Sequence, residues 1–461
     1  MIGRFQRAAL AVAAGWLCGS AQAGTSAEGV DAALAAGEPY VRGELIVQYR
    51  ASAPESSKTA VLRKSRARAL ERLRTKLERR DGKGDLARLH LGAGRRIDAA
   101  LLRQLRDDPA VEFVEPNWIY KRQVVNPNDP GLGLLWNVQG PTTSPAHPYG
   151  SGALWSWNMQ QRCSAAVHVG VIDTGVMVDH PDLRANAWVN PGEGRAINRR
   201  DNDGNGLVDD INGWDFTTGQ SRVYAGLADL HGTHVAGIIA AAANNRMGVM
   251  GVCPSARLIT AKFLGPEGGT TADAIRAIQY LTQLKRTKRI QLVAVNNSWG
   301  GGGYSRALRD AIKAADDANI LFIAAAGNEA LDLDQTPSYP ASYDLPNVIS
   351  VAAIEPTGSL AAFSNYGVRS VDLAAPGVDI VSTVPVSAAR AGYGYLSGTS
   401  MAAPHVAGAA ALYASLNPCA SALQIRDALL RLAVKDPQLV GKVQQGRRLD
   451  VSGIRKELAC R

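Results

Sequence analysis

Residues 167–173 read VHVGVID, a run that is apolar or small at nearly every position and ends in a carboxylate before Thr174-Gly175. A strand with one wet face alternates apolar and polar residues; this one does not. The same holds for ARLITAKFL (256–264), QLVAVNNS (291–298), ILFIAAAGN (320–328) and NVISVAAI (347–354), all bounded by turn residues. Strands without alternation are buried on both faces, as in a parallel sheet covered by helices. Between them HGTHVAGIIAAAA (231–243), TADAIRAIQYLTQLKR (271–286) and SRALRDAIKAADDAN (305–319) carry helical periodicity. Parallel neighbours need such crossovers, and these are right-handed. The reading is an α/β fold, a doubly wound, mostly parallel sheet over residues 126–415. Its chemistry belongs at the carboxyl ends of the strands.

Working outward, the chain has 461 residues and 46% hydrophobic content, ample for a core. From Glu38 to Arg122 it reads as a small α+β unit that precedes the sheet. GELIVQYR (43–50) is a strand and Ser56–Arg80 an arginine-rich helical stretch. Residues 96–122 give a helix, a turn at Asp108-Pro109 and a closing strand. VVNPNDPGLG (124–133) then breaks any regular element, which marks a domain boundary and a processing site. The tail, 416–461, adds helices bracketed by Cys419 and Cys460.

Met1–Ala23 has two early arginines, the apolar run AALAVAAGWL and a small-x-small ending, Ala21-Gln22-Ala23. That is the pattern of a cleaved secretory signal, and the run is too short to span a bilayer. The expected form is secreted, with no membrane attachment once the signal is gone. Of the net charge of +9, six units lie in residues 24–122 and one in 123–461. The basic excess therefore sits in segments that are removed, and nucleic acid is not the expected partner. Setting aside Cys18 in the signal, Cys163, Cys253, Cys419 and Cys460 remain. An even set in an exported chain points to two disulfides, with three possible pairings.

Residues 395–412 read YLSGTSMAAPHVAGAAAL, a small-residue turn and a lone serine at the start of an apolar helix. Ser400 there sits among outward-pointing N–H groups, where a developing oxyanion is stabilised. The partners it needs occur where the fold predicts. Asp173 ends one strand, Asn328 ends another, and His231 opens the helix that carries His234 one turn later. Ser400 would be nucleophile, His231 base, Asp173 the group that orients the imidazole, and Asn328 an oxyanion donor. Read singly, each residue has a plain alternative such as a turn, a cap or a metal-binding histidine pair.

Asp173-Thr174-Gly175, residues 231–237 (HGTHVAG), Ala325-Ala326-Gly327-Asn328 and residues 398–405 (GTSMAAPH) stand in that order along the chain. With these motifs the sequence resembles the subtilisin-like serine peptidases over about residues 126–415. The resemblance implies a serine endopeptidase acting on polypeptide substrates through an acyl-enzyme, with Asp173, His231 and Ser400 as the triad. It makes His234 structural, and no glutamate lies between the two histidines to serve a metalloprotease. It also implies that residues 24–125 are a propeptide, with VEFVEPNWIY (111–120) as its last strand. Such a segment assists folding and inhibits its own enzyme until cut. The mature enzyme is expected to be a monomer. The rivals are a catalytically inactive subtilisin-like binding protein, and a lipase, whose GxSxG elbow is replaced here by GTSMA.

DNDGNGLVDD (201–210) sets carboxylates and amides at alternate positions among glycines, like the first half of an EF-hand loop. Structural Ca²⁺ held by Asp201, Asp203, Asn205, the Leu207 carbonyl and Asp210 is the expectation, against a solvated acidic turn. The resemblance implies a second Ca²⁺ site from Asp129, Asp182, Asn245 and the backbone oxygens of Ala243, Met247 and Val249. In that fold Cys163 and Cys253 precede neighbouring strands, which suits their pairing and leaves Cys419 for Cys460. Ser298, Trp299, Gly300, Ala325 and Gly327 resemble the walls of the S1 pocket, which favours apolar or mixed P1 residues. Glu329, Asp332 and Asp334 would favour basic ones if they face the cleft, and are otherwise an exposed acidic loop.

Overall fold

The computed structural model describes residues 26–73, 84–92, 94–119, 126–194, 196–288 and 290–459. The signal at 1–23 and Cys460 lie outside the described residues. The chain divides into two compact units, 1–123 and 124–461.

The first unit contains α1 (Ser26–Ala35), β1 (Tyr40–Tyr49), α2 (Glu55–Ser65), β2 (Arg68–Arg72), β3 (Leu86–His90), α3 (Ala99–Arg106) and β4 (Val111–Trp118). Its four strands form an antiparallel sheet in the order β2-β3-β1-β4. One buried face of α3, Leu101, Leu102 and Leu105, joins Leu45, Val47, Leu89 and Val114 in its core. Asp98 caps α3 by accepting the Leu101 N–H at 2.8 Å. The helix expected over Ser56–Arg80 is shorter. Arg66 turns left-handed at φ 54°, its N–H and that of Ala67 close the last turn on Arg63 and Leu62, and β2 follows. Residues 68–72 then pair with β3, so long-range sheet pairing overrides local helix preference there. Residues 74–83 of that stretch lie outside the described residues.

The second unit begins with α4 (Ala153–Asn158), β5 (Val167–Asp173), β6 (Gly213–Asp215), α5 (Leu230–Ala240) and β7 (Arg257–Lys262). It continues with α6 (Thr271–Lys288), β8 (Gln291–Asn297), α7 (Arg306–Asp317), β9 (Leu321–Ala325), β10 (Val348–Ile354) and β11 (Leu373–Pro376). A hairpin, β12 (Ile380–Ser387) and β13 (Arg390–Leu396), leads into α8 (Thr399–Leu416), α9 (Ala422–Leu432), β14 (Val434–Lys435) and β15 (Arg447–Arg448). Nine strands form one sheet in the order β14-β15-β11-β10-β9-β8-β5-β7-β6. Every pairing is parallel except β14 with β15.

All seven residues of β10 and all five of β9 are buried. Successive side chains point to opposite faces, so both faces of the sheet are covered. The fold is the predicted doubly wound α/β sheet. α8, buried almost all round, packs across β5 and β8 to β11, and α5 packs on α8, β5 and β12. The tail is not a separate body: β15 joins the sheet beside β11, and Leu429, Leu449 and Val451 lie in the common core. Cys163 and Cys253 form a disulfide, with Cα atoms 5.4 Å apart. Among the described residues no helix is long and apolar enough to cross a membrane.

Candidate active site

β5 ends at Asp173, fully buried, and α5 brings His231 against it. Asp173 Oδ1 lies 2.7 Å from His231 Nδ1 and accepts the Thr174 N–H at 2.6 Å. The join between these elements is tight. Thr174 Oγ1 accepts the Gly232 N–H at 2.8 Å, so the turn after the strand holds the first turn of the helix. Burial on its own pushes the His231 imidazole down. The charge and hydrogen bond of Asp173 outweigh that, and the ring ends above its ordinary value. Its side chain remains 32% exposed, which leaves the far edge of the ring open.

Ser400 is the second residue of α8, following Gly398 and Thr399, so its N–H is one of the first four that find no partner inside the helix. Pro404 lies four residues on and has no N–H to give the Ser400 carbonyl. That carbonyl instead accepts the Ser298 hydroxyl at 2.7 Å, which ties the serine to the end of β8. The Ser400 hydroxyl donates to the Ser298 carbonyl at 3.1 Å. No hydrogen bond joins this hydroxyl to His231. Catalytic hydrogen bonds commonly tighten only with substrate in place.

Asn328 follows β9 on an exposed turn. Its Oδ1 accepts from the Thr399 N–H at 2.9 Å and the Thr399 hydroxyl at 3.0 Å, so the amide cannot flip and Nδ2 faces outward. A Cβ built on Gly398 would lie 3.6 Å from the Ser400 nitrogen and 3.7 Å from both Nδ2 and Oδ1 of Asn328, so the Ser400 N–H and the Asn328 amide border one small space. Gly327 is required before them. It has φ +108°, and a Cβ there would meet Asn365 Nδ2 at 2.3 Å.

Of the residues assigned to the pocket walls, Ser298 is buried against Ser400 and Ala325 is 4% exposed at the end of β9. Trp299 stacks edge-on against Phe263 at 4.8 Å, and Gly300 is exposed. The acidic residues after Asn328 are tied up locally. Asp334 accepts from the Arg369 and Ser370 N–H groups, Asp332 from Asp334, and Glu329 from Asn365. His234 is fully buried with Nε2 2.9 Å from the Ile380 carbonyl and 3.1 Å from that of Gly394, pinning α5 to the hairpin.

The 201–210 loop differs in part from its expected ligand set. Carboxylate oxygens of Asp201 and Asp203 come within 4.8 Å of one another and of Glu193. Asp210 is turned inward instead, accepting from Asn190 and Asn205 at 2.7 and 3.0 Å and from Tyr280 at 2.7 Å. Asn205 is thereby committed, its Oδ1 to the Leu207 N–H at 2.7 Å. Burial pushes Asp210 up to about 6. Glu193 carries no motif and was missed. It arrives through a tight turn in which its N–H and that of Gly194 both reach the Asn190 carbonyl. Three carboxylates are a hard donor set that suits Ca²⁺.

In the second expected site Asp129, Asp182 and Asn245 lie together, and Asn245 is committed as Asn205 is, its Oδ1 accepting the Met247 N–H at 2.8 Å. Asp182 accepts from Asn245 Nδ2 at 2.7 Å and from the Val249 N–H at 3.0 Å, and Asp129 from the Asn244 and Asn245 N–H groups. Asp129 is raised by burial, and the Asp182 charge adds to the effect. Two buried carboxylates that repel each other fit a cation between them.

Residues 164–449 match the model of the Subtilase family, and residues 26–117 that of the Fervidolysin N-terminal prodomain. A thermophilic serine proteinase of Bacillus sp. (strain AK1) is 34% identical over 86% of this chain and 83% of its own length. An extracellular protease of Xanthomonas campestris pv. campestris is 33% identical over 84% of this chain and 69% of its own. Among solved structures, one described as "Proteases from Pseudoalteromonas arctica PAMC 21717" is 29% identical at a TM-score of 0.57, covering 71% of this chain and 98% of that one. The strand-end aspartate, the helix-borne histidine and the cradle around Ser400 stand on the fold of these relatives, and the chain belongs to the subtilase family of serine endopeptidases.

Proposed function

We propose that the protein is a secreted serine endopeptidase whose triad is Asp173, His231 and Ser400, with Asn328 Nδ2 and the Ser400 N–H as oxyanion donors. The observation that carries this reading is the 2.7 Å contact of Asp173 with His231 beside a serine whose own N–H shares one space with the Asn328 amide. His231 takes the Ser400 proton as Oγ attacks the scissile carbonyl, and Asp173 stabilises the imidazolium that forms. The same ring then protonates the leaving amine, and water repeats the sequence on the acyl-enzyme.

The chain would be made as a pre-pro-protein: a signal over 1–23, a propeptide over 24–125 cut off by the enzyme itself, the peptidase domain from 126 to 415 and a tail to 461. Cys419 is disulfide-bonded, and Cys460 is the partner assigned to it. Calcium would be held by Glu193, Asp201 and Asp203, and by Asp129, Asp182, Asn245 and the 243–249 backbone. Its contribution there is structural, neutralising clustered carboxylates. With Asp332 and Asp334 turned into their own loop, apolar P1 residues suit the pocket better than basic ones.

A fluorescent organophosphonate tests the reading, because it labels only an activated serine. Labelling of the processed protein, lost in Ser400→Ala, is the expected result. An unlabelled wild-type protein would favour the inactive binding protein instead.

A further inference from the structure

Behind the Asp173–His231 contact lies a buried charge cluster that the reaction steps above do not use. Asp229 stands two residues before His231 and is 1% exposed. Its Oδ1 accepts the Gly175 N–H at 2.8 Å and the Lys262 ammonium at 2.8 Å. Its Oδ2 accepts the Ala225 N–H, and its backbone carbonyl accepts the Thr233 hydroxyl at 2.7 Å. The Thr233 hydroxyl in turn accepts the Met177 N–H at 3.0 Å. Gly175 stands two residues after Asp173, so a single carboxylate holds the turn leaving β5 against the turn entering α5. The fit is close: a Cβ on Gly175 would fall 2.5 Å from Asp229 Oδ2.

Lys262 ends β7 and is the Cα partner of Asp173 on one side and of Asp215 on the other. It is 5% exposed, 2.8 Å from Asp229 and 3.9 Å from Asp215. Asp215 Oδ1 is occupied by the Thr217 N–H and hydroxyl of its own turn. A buried carboxylate that needs a buried lysine is costly to desolvate. This one makes no cap hydrogen bond to α5; its side chain is spent on the Gly175 and Ala225 N–H groups and on Lys262, at the helix start that carries His231.

We propose that Asp229, with Lys262 as its counter-charge, is a positioning residue that sets the spacing and angle of the Asp173–His231 pair. The inference rests on the reading of those two residues as members of the triad. It does not place Asp229 in contact with substrate. Its effect travels through the Gly175 turn and the first turn of α5, and so falls on turnover rather than on substrate binding.

The test compares the processed wild-type enzyme with Asp229→Asn, Lys262→Met and the charge-neutral double variant Asp229→Asn/Lys262→Met. Active sites are counted by phosphonate titration and kinetics are measured on one peptide substrate. An ångström of misplacement costs up to about 100-fold in rate. Each single variant is therefore expected to lose about 10- to 100-fold in kcat per titrated site, with KM within about twofold. The double variant, which removes the Asp229 carboxylate together with its counter-charge and leaves the cluster's net charge unchanged, is expected to lose at least about tenfold. It should lose no more than the worse single, because both side chains act through one link. Normal kcat per titrated site in the double variant overturns the proposal, as does a loss that disappears once inactive molecules are discounted. Multiplicative losses overturn the pairing with Lys262. Ser400→Ala, run alongside, separates the two levels. If it still turns over, the triad reading fails; if it is dead while the Asp229 variants are normal, only the positioning role does.

Discussion

Thr399 shows how one side chain decides what its neighbour does. By occupying Asn328 Oδ1 twice it leaves Nδ2 as the only face the amide can present to a substrate oxygen. Asn328 is exposed and contributes little to the core, so Asn328→Ala is expected to melt like wild type. Its kcat should fall about 100-fold or more, the usual consequence of losing one oxyanion donor. Near-normal turnover would remove Asn328 from the site. His231 gives a second expectation. It works as a base only when neutral, and Asp173 holds it above the ordinary imidazole value of about 6.5. The acid limb of kcat/KM should accordingly lie above pH ~6.5 and move down in Asp173→Asn. A wild-type limb at or below that value would contradict the assignment. Asp173, His231, Asn328 and Ser400, the residues proposed for the triad and the oxyanion donor, were legible because strand ends and helix starts confine them to four short motifs. Thr399, Glu193 and Asp229 were not: a threonine beside a serine, or a lone acid in a loop, has no pattern until the chain folds back on it.

At the scale of elements, the central strands were readable because burial on both faces abolishes alternation, and β9 and β10 are buried throughout. The hairpin β12–β13 went unseen. β13 reads RAGYGYL with mixed exposure, and its place depends on His234 reaching the Ile380 and Gly394 carbonyls from α5. The helix expected across Ser56–Arg80 failed for the related reason that pairing with β3 is a distant contact. Two elements carry measurable stability. The Cys163–Cys253 disulfide closes 90 residues and ties the entries of β5 and β7. Replacing both cysteines with serine, in the Ser400→Ala background to prevent self-digestion, is expected to cost about 2–4 kcal/mol in denaturant unfolding. An unchanged midpoint would mean the bridge constrains nothing. Chelation acts on the 193–203 acidic cluster, where the Lys288 ammonium 2.9 Å from Asp203 faces three carboxylates, and on Asp129 with Asp182. A chelator should lower the melting temperature of the same variant, and added Ca²⁺ should restore it. No shift would take calcium out of the account.

Over the whole molecule, three imidazoles are set in places that favour the neutral ring, and two of them, His234 and His405, join separate elements. His405 Nδ1 faces the Met401 carbonyl at 2.8 Å and its Nε2 takes a hydrogen bond from Asn137 Nδ2 at 2.8 Å. A proton on Nε2 would therefore meet a donor. His234 Nδ1 and His168 Nδ1 are buried without a partner, so a proton there would go unsolvated. Burial accordingly pushes all three down to about 4. Their unfolded value is about 6.5, so between these limits the unfolded chain binds more protons and stability must rise with pH. Acidification from about pH 6.5 to 4 removes on the order of 3 kcal/mol for each fully buried ring, and below 4 the effect ends. Asp210 works the other way. Raised to about 6, it protonates in the folded state first and gains stability over part of the same window. Glu115, Asp129, Asp372 and His231 are raised as well and act with Asp210, while His147 and His180 act with the three rings. The displacement of those three rings to about 4 sets the expected direction. His234 joins α5 to the hairpin, His405 joins α8 to the 137 segment, and His168 lies in β5, so acid loosens the three elements that carry His231, Ser400 and Asp173. Urea midpoints of Ser400→Ala at pH 7, 5.5 and 4.5 should fall in that order. Midpoints that hold steady or rise toward acid would show that these rings are solvated in the folded protein.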